Sequence, residues 1–142
     1  MDDLRFGGSV WCNLDIALRK VDEIYKNEIK DLNLAVIECY ILRQLYEQDG
    51  QMASRLAKGV GRPATSFTPL LDQLEGKGLI ERRMHPSDRR SVQIYLTKQG
   101  KALREQIQTT AESVEKKLSE HIADKDWQSY QHVVANFQEL NP

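Results

Sequence analysis

One strand-like stretch, in a chain otherwise patterned for helices, most constrains the fold. Along residues 91–96 every second residue is apolar, which is the period of a β-strand with one buried face. Residues 79–84 can form a neighbouring, weaker strand, and residues 85–88 between the two are rich in turn formers. The pattern therefore predicts one β-hairpin in a mainly α protein.

The remaining segments carry helical periodicity and helix-end signals. Apolar residues recur every three or four positions from about residue 8 to residue 30. The other helices are expected to begin at capping residues and to stop at glycine. The predicted boundaries are a second helix opened by Asn33, a short helix over residues 52–60, a helix from about residue 63 to Lys77 stopped by Gly78, a long helix capped by Thr97, and a last helix capped by Asp124 or Asp126.

Length and composition indicate one soluble domain with a real core. The chain has 142 residues, of which 29% are charged, and no apolar run reaches membrane-spanning length. Neither a secretory signal nor a metal-ligand spacing of its two cysteines is present, which favours a reducing cytoplasm. We expect no cofactor, no metal and no membrane partner.

The charges are distributed unevenly along the chain. Residues 54–104 contain eleven basic and four acidic side chains, a net charge of +7, whereas the remainder carries −8. Such asymmetry indicates an anion-binding face. The alternative is that the basic middle segment pairs with the acidic flanks in the fold.

The segment around two glycines has the features of a helix-turn-helix. Ala57 is small enough for two helices to cross closely, Gly61 suits the turn, and Phe67 can anchor the second helix. That second helix carries short hydroxyl side chains in its first turn, which can reach base edges or phosphates in a major groove. The predicted DNA contacts here are Arg62, Thr65, Ser66, Thr68 and Gln73; the hydroxyl groups could instead serve as helix caps.

A basic hairpin after such a helix is typical of a wing that reaches the minor groove. We predict that Arg90 inserts there, that Asp88 braces Arg90 by pairing with it, and that Arg89 contacts a phosphate. The alternative is a solvated turn.

The segment GRPATSFTPLLDQLEGKGLIERRMHPSDRRSVQIYLTKQG resembles the winged helix-turn-helix of the MarR family of bacterial transcription regulators. The resemblance lies in the passage from Leu74 to Arg82, in Asp88 and Arg90, and in Leu96, Thr97 and Gly100. It implies a homodimer that binds a palindromic operator and represses nearby genes until a small molecule or an oxidant relieves the repression.

One position departs from the family pattern. Many relatives carry Arg where this chain has Pro69, which removes a base or phosphate contact. Because proline lacks an N–H, we predict that the helix begins late, near Thr65 or Ser66, so that Pro69 falls in the first turn.

The terminal helices are expected to form the dimer interface. Residues 1–32 and 98–142 would be a helical dimerisation region, and residues 33–97 the DNA-binding region. The apolar residues that a monomer would expose are Val10, Trp11, Leu14, Trp127, Tyr130, Val134 and Phe137. Alternatively, these helices cover the core of their own chain.

A small aromatic ligand, such as a phenolic acid, is the expected inducer. Where the helical region meets the DNA-binding region, the candidate lining residues are Trp11, Asp15, Tyr40 and Arg43. Oxidant sensing through Cys12 is the alternative, although no basic activator lies beside it in sequence.

DNA binding has two rivals among the classes of function that this sequence could serve. The sequence has no phosphate loop, zinc signature or nucleophile elbow, so we expect no enzyme activity. A winged-helix module for protein–protein contact is the second rival, and the basic wing favours DNA over it.

Overall fold

The computed structural model describes residues 4–142, apart from the side chain of Arg89. It is mainly helical with a small antiparallel sheet. The elements are α1 (Val10–Ile29), α2 (Val36–Glu47), β1 (Gln51–Met52), α3 (Ala53–Gly59), α4 (Ala64–Gly76), β2 (Ile80–His85), β3 (Asp88–Leu96), α5 (Lys98–Ala102), α6 (Arg104–Ser119) and α7 (Asp124–Gln138). The predicted fold class, a winged helix-turn-helix flanked by terminal helices, is confirmed.

The sheet is built around the predicted hairpin. Its strand order is β1-β3-β2, and β2 pairs antiparallel with β3 so that Ile80 lies opposite Leu96 and Arg82 opposite Ile94. The short strand β1, which the sequence pattern did not predict, adds Gln51 opposite Ile94 on the other edge. Two residues carry too little alternation to reveal a strand, so only the pairing partner defines it.

The core lies between the helices and the inner face of this sheet. The alternation predicted for the second strand is confirmed at its end, because Ile94 and Leu96 are buried whereas Tyr95 between them is half-buried. Helices α2, α4 and α6 supply most of the other large buried side chains. The fully buried ones include Ile29, Ile41, Leu42, Leu45, Leu56, Leu74, Ile80, Ile94 and Ile107.

Two predicted helix starts were wrong. Asn33 has φ 54° and ψ 42°, so it ends the short 3-10 helix Lys30–Leu32 that follows α1, in the left-handed region that Asn tolerates, and α2 begins at Val36. The residue before α7 is Ala123, which makes no side-chain cap bond; Asp124 and Asp126 lie inside the first turn instead. Carboxylates in a first turn still favour the helix through its dipole.

The long helix predicted after Thr97 is interrupted. Thr97 does cap α5, because its hydroxyl oxygen accepts from the N–H of Gly100 at 3.1 Å. The helix breaks at Leu103, and the Tyr46 hydroxyl donates to the Gly100 carbonyl at 2.7 Å. A continuous α-helix would give that carbonyl to the N–H four residues later, so the tyrosine competes with the helical ladder.

Candidate nucleic-acid interface

The turn between α3 and α4 is fixed by backbone hydrogen bonds. Gly61 has φ +66°, its N–H donates to the Lys58 carbonyl at 3.1 Å, and the N–H of Arg62 donates to the Ala57 carbonyl at 2.9 Å. This pair of bonds is the Schellman arrangement, which requires a left-handed residue between the helices. Ala57 is buried, as the helix-turn-helix prediction requires, and Arg62 is held at the exposed exit of the turn.

Helix α4, called here the recognition helix, presents a polar face to solvent. Phe67, Leu71 and Leu74 are buried on its inner face. Thr65, Thr68 and Gln73 are exposed, as predicted for DNA contacts. Ser66 is also exposed, but its hydroxyl donates to the Pro63 carbonyl at 3.2 Å, so it serves the first turn of its own helix.

The predicted late start of this helix was wrong. The helix begins at Ala64, directly after Pro63 in the cap position, and Pro69 is an interior residue beyond the first turn. Pro63 accounts for the early start, because its φ of −62° is already that of a helix and an extended ψ of 142° suits a cap. Pro69 therefore leaves the Thr65 carbonyl without its regular intrahelical donor.

The β2–β3 hairpin, called here the wing, turns at Pro86 and Ser87 and is tighter than predicted. His85 pairs with Asp88, so β3 begins three residues earlier than the alternation indicated. At this end of the strand the side chains are polar and exposed, so no buried face marks them in the sequence.

Asp88 braces the wing differently from the prediction. One carboxylate oxygen accepts from the backbone N–H of Arg90 at 2.9 Å, and the other accepts from the Ser91 hydroxyl at 3.1 Å. Asp88 thus orders the backbone that carries Arg90 rather than pairing with its guanidinium, because a carboxylate two residues earlier closes a local Asx-type turn. The side chain of Arg89, the predicted phosphate contact, lies outside the described part of the structure.

The recognition helix and the wing flank a common cleft. Thr68 and Leu71 line one side, and Arg90, Ser91 and Val92 line the other, around a volume of about 220 Å³. The structure therefore brings together two of the predicted DNA contacts, Thr68 and Arg90, which are far apart in sequence. A sugar-phosphate backbone of a DNA duplex, which runs between the major and the minor groove, could follow this cleft.

Several basic residues of the middle segment are engaged within the protein. Lys77 donates to the buried carboxylate of Glu38 at 2.7 Å, and Arg83 pairs with Glu81 while its guanidinium lies 4.1 Å from the ring centre of Tyr95. The alternative of pairing with the flanks is therefore correct for Lys77. The local charge of +7 overstates what this surface can offer an anion.

Arg82 makes the most extensive of these contacts. Its Nε donates to Glu75 and its Nη2 to Asp72, each at 2.6 Å. These bonds raise the pKa of Arg82, so it stays a cation. The sequence patterns did not single out Asp72 and Glu75. Asp72 and Glu75 are three residues apart, so they share one helix face, and they lie close to predicted DNA contacts. This spacing could have indicated a basic partner for them, because acidic groups near phosphates need one.

The predicted ligand residues do not share one cavity. Tyr40 packs edge-on against Tyr25, with ring centres 5.8 Å apart, and lines a space of about 470 Å³ with Lys58 and Gln138. Arg43 lines a different space of about 410 Å³, between α2 and α6.

The other two predicted ligand residues lie on the outside of α1. Trp11 is 78% exposed, and the carboxylate of Asp15 accepts from Arg19 at 3.1 Å. In a monomer they are surface residues.

The two cysteines are both free and differ in environment. Cys39 is buried, and desolvation raises its pKa to about 11. Cys12 is half-buried in the first turn of α1. Within residues 4–142 no group of side chains could hold a metal ion, and no helix is long and apolar enough to cross a membrane.

Residues 38–92 match the sequence model of the MarR family. Over this segment the chain is similar to the MarR family. This segment begins in α2 and ends in the wing, so it contains the helix-turn-helix and Arg90.

Individual relatives are similar to this chain over different extents. The HTH-type transcriptional regulator SarZ of Staphylococcus aureus (strain MRSA252) is 29% identical over 89 residues, which are 63% of this chain and 60% of SarZ. The chain thus spans less than two thirds of that relative. The relatives are named as transcriptional regulators.

Solved structures match nearly the whole chain. The repressor CouR bound to a 23-mer DNA duplex has a TM-score of 0.86 and 25% identity, covering 96% of this chain and 99% of CouR. Bordetella bronchiseptica BpsR, whose DNA binding is regulated by 6-hydroxynicotinic acid, has a TM-score of 0.89 at 19% identity, covering 99% of this chain and 100% of BpsR. At 19% identity, the similarity to BpsR is evidence for the fold alone.

Proposed function

We propose that this protein is a MarR-type homodimeric transcription regulator that binds a palindromic operator in double-stranded DNA. The observation that carries the proposal is the cleft shared by Thr68 of the recognition helix and Arg90 of the wing. A recognition helix reads a major groove, and a wing arginine suits the narrow, negative minor groove beside it. A protein that binds chromosomal DNA works in the cytoplasm of a bacterium.

The terminal helices supply the second half of the proposal. Trp11 is 78% exposed, and Tyr130 and Phe137 of α7 are 47% and 44% exposed. No residue of α7, all of which is described, is buried. A two-fold dimer that covers this apolar face would also present two recognition helices to successive turns of DNA.

A repressor relieved by a small aromatic acid is the form of regulation that we favour. CouR is named as a repressor, and 6-hydroxynicotinic acid regulates DNA binding by BpsR. In this chain the Tyr40 space lies directly against the turn that precedes the recognition helix, since Gly59, Val60 and Gly61 form its wall. A ligand there would contact both α2 and the turn. Trp11 and Asp15 could join such a site only through a dimer partner.

Oxidant sensing through Cys12 and a protein-binding winged helix are the alternatives. Cys12 is half-buried, and its N–H donates to the Ser9 hydroxyl oxygen at 3.4 Å. A protein-binding surface would not need the exposed Arg62 at the exit of the α3–α4 turn and the exposed Arg90 on the cleft. The salt dependence of binding separates a protein partner from DNA.

The test is a titration of the protein against DNA from upstream of its own gene, at two salt concentrations, with random DNA as competitor. We expect tight binding that weakens steeply with salt, and about 1–3 kcal/mol weaker binding for Arg90→Ala. Lys125→Ala, which removes an exposed cation from α7, is the matched control and should bind like the wild type.

The outcomes separate the alternatives. Release of DNA by salicylate or 6-hydroxynicotinic acid would support ligand relief, whereas release by peroxide that Cys12→Ser abolishes would support oxidant sensing. Binding no tighter than to random DNA, on a panel of genomic fragments, would contradict operator recognition.

A further inference from the structure

The wing is held against the recognition helix by a side chain of its first strand. Arg82 lies on β2, on the same face as Ile80, because alternate residues of a strand share a face. Ile80 is buried in the core, whereas Met84, the next residue on that face, is 65% exposed. Arg82 therefore stands where β2 leaves the core.

At this point the guanidinium bridges two elements. Nε and Nη2 reach Glu75 and Asp72 at 2.6 Å each, so a single side chain on β2 engages two carboxylates on one face of the recognition helix. Two donors in a planar fork fix an orientation, which a single ammonium cannot do. The side chain of Arg82 is 31% exposed, so these charges are partly shielded from water.

We propose that Arg82 is a positioning residue for DNA binding, which locks the wing to the recognition helix and offsets part of the negative charge of the two carboxylates on that helix. Arg82 does not contact phosphate in this proposal, although the sequence counts it among the basic residues of the DNA-binding segment. The proposal rests on the DNA-binding function proposed above.

The arrangement has two consequences for a bound duplex. The distance between Arg90 and Thr68 is set by the angle of the wing, and a duplex offers its two grooves at a fixed separation. Unpaired Asp72 and Glu75 would also place negative charge close to the phosphate backbone. Loss of Arg82 thus disturbs both geometry and charge, and variants can separate the two.

The experiment is hydroxyl-radical footprinting with affinity measurement as a function of salt, on full-length protein and a DNA fragment that the wild type binds. Arg82→Gln should weaken binding about tenfold and lose the minor-groove protection that Arg90→Gln also loses. The recognition-helix protection should remain. In an Arg90→Gln background, Arg82→Gln should leave the slope of log affinity against log salt unchanged, whereas removing one phosphate contact lowers it by about 0.9.

A second variant keeps Arg82 and removes its partners. Asp72→Asn/Glu75→Gln makes the recognition helix less acidic, so charge alone predicts tighter binding. The proposal predicts loss of the minor-groove protection despite that charge. This variant also keeps the test decisive if Arg82→Gln fails to fold, which its circular dichroism and urea unfolding would show.

The overturning results are specific. Wild-type minor-groove protection in folded Arg82→Gln, or in Asp72→Asn/Glu75→Gln, would refute the positioning role. A slope reduced by about one when Arg82→Gln is added to Arg90→Gln would make Arg82 a phosphate contact instead. If the wild type itself binds no DNA fragment specifically, the proposed function fails. This result is distinct from failure of the positioning role of Arg82.

Discussion

A carboxylate oxygen of Asp49 lies 2.8 Å from the backbone nitrogen of Leu96, at the end of β3. The same oxygen accepts from the N–H of Gly50 at 3.0 Å. The turn that follows α2 is therefore bonded directly to the strand that carries the wing. This contact joins residues 47 positions apart, and the sequence offers no sign of it.

Asp49→Ala should destabilise the protein by about 1–2 kcal/mol, because the part-buried N–H of Leu96 would lose its acceptor. Asp49→Asn is the matched control, since it keeps an oxygen in the same place and should lose less. Urea unfolding monitored by circular dichroism measures both free energies of unfolding. Equal stability of Asp49→Ala and the wild type would show that water replaces the carboxylate at no cost.

Two helical glycines should respond in opposite directions to alanine. A Cβ on Gly100 would overlap the Leu79 carbonyl oxygen, and backbone cannot move aside cheaply. A Cβ on Gly76 would meet nothing within 4 Å. We expect Gly100→Ala to lose at least about 2 kcal/mol through overpacking and Gly76→Ala to gain up to about 1 kcal/mol through helix propensity.

Thermal unfolding of these two glycine variants gives the comparison. A stable Gly100→Ala protein would mean that α5 can shift away from the start of the wing. In that case the close approach of Gly100 to Leu79 would not be a requirement of the fold.

Helical and strand periodicity and helix-end residues predicted most of the fold. They failed where a distant side chain changes the local structure. The helix stop at Gly78 was predictable, because the N–H groups of Gly78 and Leu79 complete a Schellman arrangement with Glu75 and Leu74. The break at Leu103 was not predictable, because it accompanies a hydrogen bond from Tyr46, 54 positions before Gly100. Periodicity reports burial and local propensity, and it does not report which distant side chain competes for a carbonyl.

In the candidate site too, exposure was predictable from the local sequence, whereas ion pairing between distant residues was not. The exposed positions of Thr65, Thr68 and Arg90 follow from the pattern around Phe67 and along the wing. The count of basic residues could not show that Arg82 is held by Asp72 and Glu75, since ion pairing depends on the angle between β2 and the recognition helix.

The buried thiol of Cys39 should make stability depend on pH above neutrality. Burial raises the pKa of Cys39 from 9.0 to about 11, so the folded state holds the thiol proton more tightly than the unfolded state. The resulting stabilisation is complete below pH 9 and is lost as the pH rises toward 11. Cys39→Ala should be less stable than the wild type at pH 7, because it leaves a cavity in the core, and the difference should shrink between pH 9 and 11 as the wild type loses the stabilisation of its protonated thiol.

The measurement for Cys39 is urea unfolding of both proteins across that range. Because Tyr25 and Tyr46 also have raised pKa values, the difference between the two proteins is the quantity to follow rather than either curve alone. A difference that stays constant with pH would show that Cys39 has the same pKa in the folded and unfolded states.

A charge placed on the exposed apolar face of α7 should dissociate the proposed dimer. Phe137 is 44% exposed in the single chain, and burying the remaining exposed part of its side chain against a partner contributes about 1 kcal/mol. Phe137→Glu should therefore give a monomer in sedimentation velocity at micromolar concentration. Met84→Glu, which charges an apolar residue of the wing that is 65% exposed, should leave the oligomeric state unchanged.

Replacing Pro69 should improve both the recognition helix and its contact with DNA. Pro69 is exposed and lies beside Thr68, inside a helix where proline costs about 3 kcal/mol relative to alanine in an unrelaxed interior position. Pro69→Ala restores an N–H for the Thr65 carbonyl and should raise the melting temperature with little change in the salt dependence of DNA binding.

Pro69→Arg restores the same N–H and adds a cation on the polar face, so it should also bind DNA more tightly. The slope of log affinity against log salt should be steeper by about 0.9 if the new side chain reaches one phosphate. The pair thus separates helix repair from phosphate contact. Unchanged stability in both variants would mean that the helix has already relaxed around Pro69, and a Pro69→Arg protein that binds no better than Pro69→Ala would place this position away from the duplex.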